Sequence, residues 1–522
     1  MKVRKGLLLL SVVLGVSMTA CGGRQEQKEI SSVQREDNKW KSSDMQENHS
    51  TQENDEEKEF DILLGEINSK KRGLNASKEA LDRYRYDYSN DKPKLTKEDV
   101  SIMKNYNKKK VKKHLPVADA KKEVSWLFRL LRSQYGLYTY YGGDAVFEKQ
   151  ERAIRRKLGT KGTVAVKDYE KILHEHLDFI IDNHLTIGDS DFSADITLFS
   201  NEETHYIKSN GAFSREDNPN DAIRSINGKA PECYLKRAIN EAGRLTYYPY
   251  AMEKTKESYQ CGILYESGKE ENIVLRPAKY AGDEMVDRLY DFKQYDDLGY
   301  IALNVMMFED EDEYMTEEYH RFLEDVPKMK AQKNLVFDLR RNGGGDMVFV
   351  EKWFSAFTGE RPQPNYSTLR IRPIMMGGLK EMDKLAVQWG MEKSGKYYYC
   401  QYPEGQYLEN KERRIFVLTS RRTASSAEGF VDLANNMENV VTIGTNTGGV
   451  FTNMANYSVA MPYSRLYLEF GECLMYYEPA YFRESYGMEP DIYLTGENLE
   501  DRLEKFFEIY VWERGAGRKV FK

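Results

Sequence analysis

Beyond its N-terminus, this chain of 522 residues has no apolar run that approaches the roughly 18 residues needed for a membrane-spanning helix. Cysteine is scarce, and four of the five cysteines, Cys233, Cys261, Cys400 and Cys473, are widely spaced and not in metal-type pairs. They do not make a disulfide scaffold, and their pairing stays open. The formal net charge of −7 leaves no basic footprint, so no nucleic-acid partner is expected.

The N-terminus carries the one long apolar segment. Residues 1–5 are basic, residues 6–18 are apolar, and Thr19-Ala20-Cys21-Gly22 follows. This pattern predicts a secretory signal that is too short to cross a bilayer. A small residue directly before cysteine resembles the signal of bacterial lipoproteins, which implies that Cys21 is the acylated first residue of an extracytoplasmic protein anchored in the cell membrane. Met18 is less usual in that position, and an ordinary secreted protein is the alternative.

The remaining chain is too long for one hydrophobic core, so two or three domains are expected. After the signal at residues 1–20, the polar residues 21–59 predict a disordered tether. Residues 60–186 show apolar positions at helical spacing and predict a helical subdomain. Short apolar segments between polar turns predict a small β-rich subdomain at residues 187–281, and residues 282–522 remain for the largest domain.

Strand and helix patterns alternate in this last domain. Apolar segments at residues 300–305, 334–339, 415–418 and 440–443 predict strands, with helices around 317–330, at 347–357 and after Ser425. The order argues for an α/β core, which places its functional site in loops at strand ends. An insertion at residues 360–412 is rich in Tyr and Met, and either lines or covers a groove.

The junction Thr423-Ala424-Ser425-Ser426-Ala427-Glu428 joins a predicted strand to a predicted helix. A serine at such a turn lies beside the first free amides of the helix, whose partial positive charge can stabilise an oxyanion. The same residues fit a capping box, in which Ser425 and Glu428 bond each other's backbone amides. The two interpretations are compatible.

A second, glycine-rich loop bears on whether Ser425 lies in a functional site. Residues 334–345, NLVFDLRRNGGG, are an apolar strand that ends in three glycines. Glycine permits positive φ and close backbone approach, so amides here can point into a site. Taken in order, DLRRNGGG, TASSAE and the IGTNTGG of residues 443–449 resemble the peptidase core shared by tail-specific (C-terminal processing) proteases and the tricorn protease.

This resemblance implies an α/β peptidase core, a crotonase-like mixed sheet with helices, and a serine endopeptidase that cleaves proteins or peptides. Tail-specific proteases take their base, a lysine, at the position of Val450, and no lysine lies between Ser425 and Lys505. The tricorn-like branch instead uses a histidine from the end of the helical region and a later carboxylate. On those motifs the resemblance implies a triad of Ser425, His184 and Glu484.

Serine needs an adjacent base, so the expected mechanism is acyl transfer in which Glu484 holds the His184 tautomer. The amides of Gly344 and Ser426 are expected to form the oxyanion hole. The missing lysine supports a rival function, a catalytically silent lipoprotein that binds peptide or glycan. A lone histidine at a helix end is also often a cap or a core residue.

Two further patterns bear on peptide and metal binding. Residues 221–229, DAIRSINGK, resemble the strand and turn of a PDZ domain, although the family's carboxylate-binding loop is missing and a β subdomain that only packs on the core is the alternative. His174, His176 and His184 do not form the i, i+4 pair of a zinc helix. Neither a metal nor another cofactor is expected.

Overall fold

A computed structural model describes residues 47–71, 78–89, 92, 95–104, 110–254, 257–281, 288–306, 313–360, 363–371, 392–394, 396–400, 407–512 and 520–521. Within the described residues, those from 63 onward form one compact unit, and those before 63 belong to a separate one. Cys21 and the predicted signal lie outside the described residues. Helix α1 begins at Glu47, so the prediction of disorder through residue 59 is wrong for its last part. No helix in the described part of the chain is long and apolar enough to cross a bilayer.

Eleven described helices accompany the sheets, together with one short 3₁₀ turn at Pro231–Cys233. They are α1 (Glu47–Lys71), α2 (Lys78–Asp82), α3 (Lys97–Lys104), α4 (Val117–Gln134), α5 (Gly143–Lys157), α6 (Val166–Leu177), α7 (Glu313–Glu324), α8 (Val326–Lys330), α9 (Met347–Thr358), α10 (Ser426–Asn435) and α11 (Leu499–Tyr510).

The described strands fall into two large sheets and one two-stranded pair. They are β1 (His114–Pro116), β2 (Thr163–Ala165), β3 (Asp182–Ile187), β4 (Ser190–Phe192), β5 (Thr197–Ser200), β6 (Tyr206–Ser209), β7 (Ala212–Arg215), β8 (Asn218–Ile226), β9 (Leu235–Ile239), β10 (Leu245–Glu253), β11 (Tyr259–Tyr265), β12 (Glu270–Pro277), β13 (Tyr290–Tyr295), β14 (Leu298–Leu303), β15 (Asn334–Asp338), β16 (Ser367–Ile371), β17 (Glu392–Ser394), β18 (Tyr397–Cys400), β19 (Arg414–Thr419), β20 (Val440–Gly444), β21 (Asn453–Ala460), β22 (Tyr467–Tyr476) and β23 (Ile492–Tyr493).

The larger sheet has the order β13-β14-β15-β19-β20-β23-β9-β10-β5-β12-β11-β8-β7-β6. Strands β14, β15, β19, β20 and β23 pair in parallel. Every residue of β15 and of β20 is buried, because parallel strands covered on both faces read as continuous apolar runs. The predicted α/β core, a mixed sheet with helices, is therefore confirmed.

The sheet does not stop at the predicted domain boundary at residue 281. Tyr493 of β23 pairs in parallel with Ala238 of β9, so the parallel strands of the core continue directly into the β-rich region. That region contains β4 to β12 and the 3₁₀ turn, as the prediction of short strands indicated. Strands β5 to β12 of this region share the larger sheet with the core.

The smaller sheet joins the helical region to the core. Its order is β17-β18-β16-β22-β3-β4, with β21 paired to β22. One face packs on a cluster that includes Leu127, Leu131 and Tyr169 of the helical region. Helix α6 ends at Leu177 and His184 lies on β3, so the expectation of a helix-end histidine is wrong. The site is thus built from both sheets.

Candidate active site

Ser425 lies at a sharp turn between β19 and α10. Its backbone has φ 54° and ψ −124°, a region that a residue other than glycine rarely occupies. Such strain persists only where the surroundings impose it, and it clusters at functional sites. A serine on a strained strand-to-helix turn projects its hydroxyl away from the backbone, as in a nucleophile elbow. Ser425 is half-buried.

The structure brings Ser425 and His184 together across 241 positions of sequence. The Ser425 Oγ lies 3.4 Å from His184 Nε2 and 3.9 Å from the Met454 sulfur. A nucleophile and its base are often this loosely spaced before substrate binds. Burial lowers the pKa of His184, while the charges of Glu484 and Glu469 and the backbone of Asn453 act in the opposite direction. The imidazole is therefore neutral, and can act as a base, at neutral pH.

Glu484 does not hold the imidazole as predicted. Its Oε1 accepts hydrogen bonds from the backbone and side-chain amides of Asn183, at 3.1 and 2.8 Å. Its Oε2 accepts from the amides of Phe451 and Thr452, at 3.3 and 3.0 Å. His184 Nδ1 makes no hydrogen bond to Glu484. Glu484 thus fixes the residue beside His184 and acts on the ring only through its charge.

Asp182 is a carboxylate that the sequence motifs did not reveal. It is fully buried, and its Oδ1 accepts from the backbone amide of His184 at 2.9 Å. Its Oδ2 accepts from the Tyr135 hydroxyl at 2.8 Å and from Asn453 Nδ2 at 2.7 Å. Burial raises the pKa of Asp182, and burial together with the nearby Asp182 charge raises the pKa of Glu484. The buried carboxylates of Asp182 and Glu484 therefore bind the backbone amides of His184 and Asn183, respectively.

Glu428 caps helix α10, as the capping-box interpretation of the junction predicted. Its Oε2 accepts from the Ser425 amide at 3.0 Å and from the Val450 amide at 2.7 Å. Its Oε1 accepts from the Thr447 hydroxyl and, at 2.8 Å, from the Gly449 amide. Burial raises the pKa of Glu428 to about 7 against these bonds, which lower it. The glutamate ties the Ser425 turn to the loop after β20.

The glycine loop after β15 packs directly on this turn. A Cβ at Gly344, where φ is 105°, would lie 2.7 Å from the Ser425 Cβ, so only glycine fits. The Gly344 amide is not free, because it donates to Asn342 Oδ1 at 2.8 Å. The expectation that Gly344 presents a free oxyanion donor is therefore wrong for this structure. The neighbouring Gly345 faces the turn, since its carbonyl accepts from Ser426 Oγ at 2.9 Å.

Two amides remain as candidate oxyanion donors. Ser426 is the first residue of α10, and a helix leaves its first amides without intrahelical partners. Neither the Ser426 amide nor the Gly345 amide makes a hydrogen bond to any described residue. The sequence predicted the amide at the helix terminus. It did not predict which of the two adjacent glycines has a free amide, because that depends on the Asn342 side chain, which accepts from Gly344.

The other candidate positions have structural partners. His174 stacks on Phe192 at 4.5 Å, and its Nε2 lies 2.9 Å from the Ile187 carbonyl. Within the described ranges, no three His, Cys, Asp or Glu side chains group as metal ligands would. Cys233 and Cys261 are free thiols.

Comparisons with known proteins place this geometry in context. Residues 297–494 match the model of Peptidase family S41. Solved structures with similarity include mature CPAF, at 13% identity over 75% of this chain and 95% of that one, with a TM-score of 0.41. The photosystem II D1 C-terminal processing protease is 13% identical over 74% of this chain and 96% of that one, with a TM-score of 0.35. A lipoprotein from Streptococcus agalactiae is 13% identical over 72% and 91%, with a TM-score of 0.36. No curated protein matches the sequence.

Proposed function

We propose that this chain is a serine endopeptidase in which Ser425 attacks internal peptide bonds of protein or peptide substrates, since residues 297–494 match the model of Peptidase family S41. The observation that carries the proposal is the approach of the Ser425 hydroxyl to His184 Nε2, at 3.4 Å, on a strained strand-to-helix turn. A serine hydroxyl is a weak nucleophile until an adjacent base takes its proton.

In the proposed reaction, the Ser425 Oγ forms a bond to the carbonyl carbon while His184 Nε2 takes the hydroxyl proton. The carbonyl oxygen becomes an oxyanion, which the Ser426 and Gly345 amides stabilise. His184 then gives its proton to the departing amine, and the C–N bond breaks. Water, activated by the same imidazole, hydrolyses the acyl-enzyme and restores Ser425.

Fluorophosphonate labelling tests the nucleophile. The purified wild-type protein should label, and Ser425→Ala should not, because the probe reacts with an activated serine. Ser193→Ala is a matched control, since Ser193 is an exposed serine whose hydroxyl also contacts a carboxylate, Asp191, at 2.6 Å. Its labelling should equal that of wild type. Equal labelling of Ser425→Ala and wild type would remove Ser425 as the nucleophile.

The proposal also includes an extracytoplasmic, membrane-anchored location. Its support is the N-terminal sequence, in which a basic start and an apolar core lead to Ala20-Cys21. Acylation of Cys21 would anchor the enzyme in the membrane, where extracytoplasmic proteins or peptides are its substrates.

The proposed lipid anchor at Cys21 can be tested by fractionating cells into membrane and soluble parts. Wild-type protein should partition with membranes, and its mature chain should begin at Cys21. Cys21→Ala should release the protein to the medium or block its processing. A Cys21→Ala protein that is processed normally and stays with the membrane would show that no lipid is attached there.

A further inference from the structure

A methionine sulfur lies beside the nucleophile. The Sδ of Met454, the second residue of β21, is 3.9 Å from the Ser425 Oγ, close enough for the hydroxyl to donate a hydrogen bond to it. The same hydroxyl faces His184 Nε2 at 3.4 Å. A thioether is a weak acceptor, so it competes poorly with the imidazole for the hydroxyl proton. With its sulfur unmodified, Met454 therefore leaves the nucleophile paired with its base.

The backbone of β21 fixes the position of this side chain. Successive residues of a regular strand point to opposite faces. Met454 and Ala455 instead both pack against the core cluster that contains Phe451 and Met475. Ala455 has φ 61°, a left-handed conformation that alanine rarely adopts. Such strain persists only where the surrounding structure imposes it. The fold therefore holds the sulfur beside Ser425.

Met454 is also open to small molecules. Both Met454 and Ser425 are half-buried, whereas Met475 on the paired strand β22 is buried. A thioether that an oxidant reaches is converted to methionine sulfoxide, which is polar and chiral. Oxidation on the lone pair that faces Ser425 would place a strong acceptor oxygen between the sulfur and the Ser425 Oγ.

We propose that Met454 is an oxidation site at which hydrogen peroxide blocks the nucleophile. The inference rests on the proposed function of Ser425. The sulfur gives a lone pair to one peroxide oxygen, the S–O bond forms, the O–O bond breaks, and the other oxygen leaves as water with both protons. The sulfur is oxidised and the peroxide is reduced. The sulfoxide oxygen then accepts the hydrogen bond of the Ser425 hydroxyl in place of His184, but it is too weak a base to remove the proton.

Peroxide treatment of the full protein tests the site. Peptide mass spectrometry follows the gain of one oxygen at Met454, and fluorophosphonate labelling reports the reactivity of Ser425. The rate of labelling should fall about 10²-fold at full oxidation, because a base in position contributes at least that much. Methionine sulfoxide reductases for the two epimers should together restore the rate.

Variants separate Met454 from other oxidisable groups, with each labelling rate compared before and after peroxide. Met454→Leu has no sulfur and a similar volume, so peroxide should leave its rate unchanged. Met454→Gln carries an amide oxygen near the position of the sulfoxide and should label slowly without peroxide. The matched controls are Met252→Leu, at a half-buried methionine of β10, and Cys233→Ser, at an exposed free thiol. Both should remain as sensitive as wild type.

The outcomes separate this inference from the proposed function. Full oxidation of Met454 with an unchanged labelling rate overturns the inference, and so does a Met454→Leu protein that loses as much as wild type. Failure of peroxide to oxidise Met454 in the folded protein overturns it as well. Each of these results leaves the serine peptidase intact, because the untreated wild type still labels at Ser425. Absence of labelling in the untreated protein contradicts the proposed function itself, and the inference with it.

Discussion

His184→Ala should lower kcat/KM for peptide hydrolysis by about 10⁶-fold, as far as Ser425→Ala does. Nucleophile and base act as one unit, so removing either costs about as much as removing both. His184 Nε2 is the ring nitrogen that faces the Ser425 hydroxyl, at 3.4 Å, and no lysine lies between Ser425 and Lys505 to replace it. The double variant should be no slower than either single variant. Retained turnover in a folded His184→Ala protein would reject the histidine base.

The pH dependence of wild-type hydrolysis follows from the same ring. A base must be neutral to accept a proton, and burial lowers the pKa of His184 below its usual 6.5. The rate should therefore rise with pH through a midpoint below about 6.5 and be level at neutral pH. A base with the pKa of a lysine would move this rise to the alkaline side. Initial rates across the pH range distinguish the two.

The variant Glu484→Gln is a second test of the pH dependence of hydrolysis. The charge of Glu484 raises the pKa of His184, so its removal should move the acid limb to still lower pH. Each carboxylate oxygen accepts from N–H donors, those of Asn183 on one side and of the segment 451–452 on the other. The amide group of glutamine must face one of these donors, which costs about 1–3 kcal/mol. An unchanged acid limb would show that Glu484 exerts no charge effect on the ring.

The sequence predicted the α/β core because its strands are short, continuous apolar runs that alternate with helical patterns. Residues 415–418 and 440–443 lie within β19 and β20, and the predicted helix at 347–357 is α9. The junction of β23 with β9 was not predictable, since a two-residue strand pairs at one position with a distant partner. His184 was misplaced because β3, with a mixed burial pattern, lacks the alternation of a strand.

The candidate site was likewise predictable from the sequence only in part. Ser425 was found from its local setting, a strand followed by small residues and a helix start. The pairing with His184 came only from the resemblance, because nothing local links positions 241 apart. The hydrogen-bond partners of Glu484 and of the Gly344 amide depend on side chains that the fold brings in from elsewhere. Nothing in the sequence distinguishes Asp182 from an ordinary polar residue, because its contacts with Tyr135 and Asn453 form only in the folded chain.

Asp182→Ala should slow hydrolysis by about 10²-fold through loss of positioning, since small displacements of catalytic groups have effects of that size. The substitution removes the acceptor that fixes the His184 amide, and it leaves the buried Tyr135 hydroxyl and Asn453 amide unpaired. Each unpaired donor should lower the free energy of unfolding by about 1–3 kcal/mol, measurable by urea denaturation.

Asp182→Asn is the matched variant, because its oxygen can still accept from the His184 amide. Its new N–H₂ group would face the Tyr135 hydroxyl, which can also accept a hydrogen bond, and Asn453, whose Oδ1 is buried and has no hydrogen-bond partner among the described residues. Rotation of the Asn453 amide would turn that oxygen into a second acceptor. Asp182→Asn should therefore keep most of the activity, and Asn453→Leu, which removes one of the two acceptors, should weaken this rescue in the double variant. The losses should fall on kcat more than on KM, since no substrate contact is removed. If folded Asp182→Ala hydrolyses peptide as fast as wild type, then the buried carboxylate stabilises the fold without positioning the base.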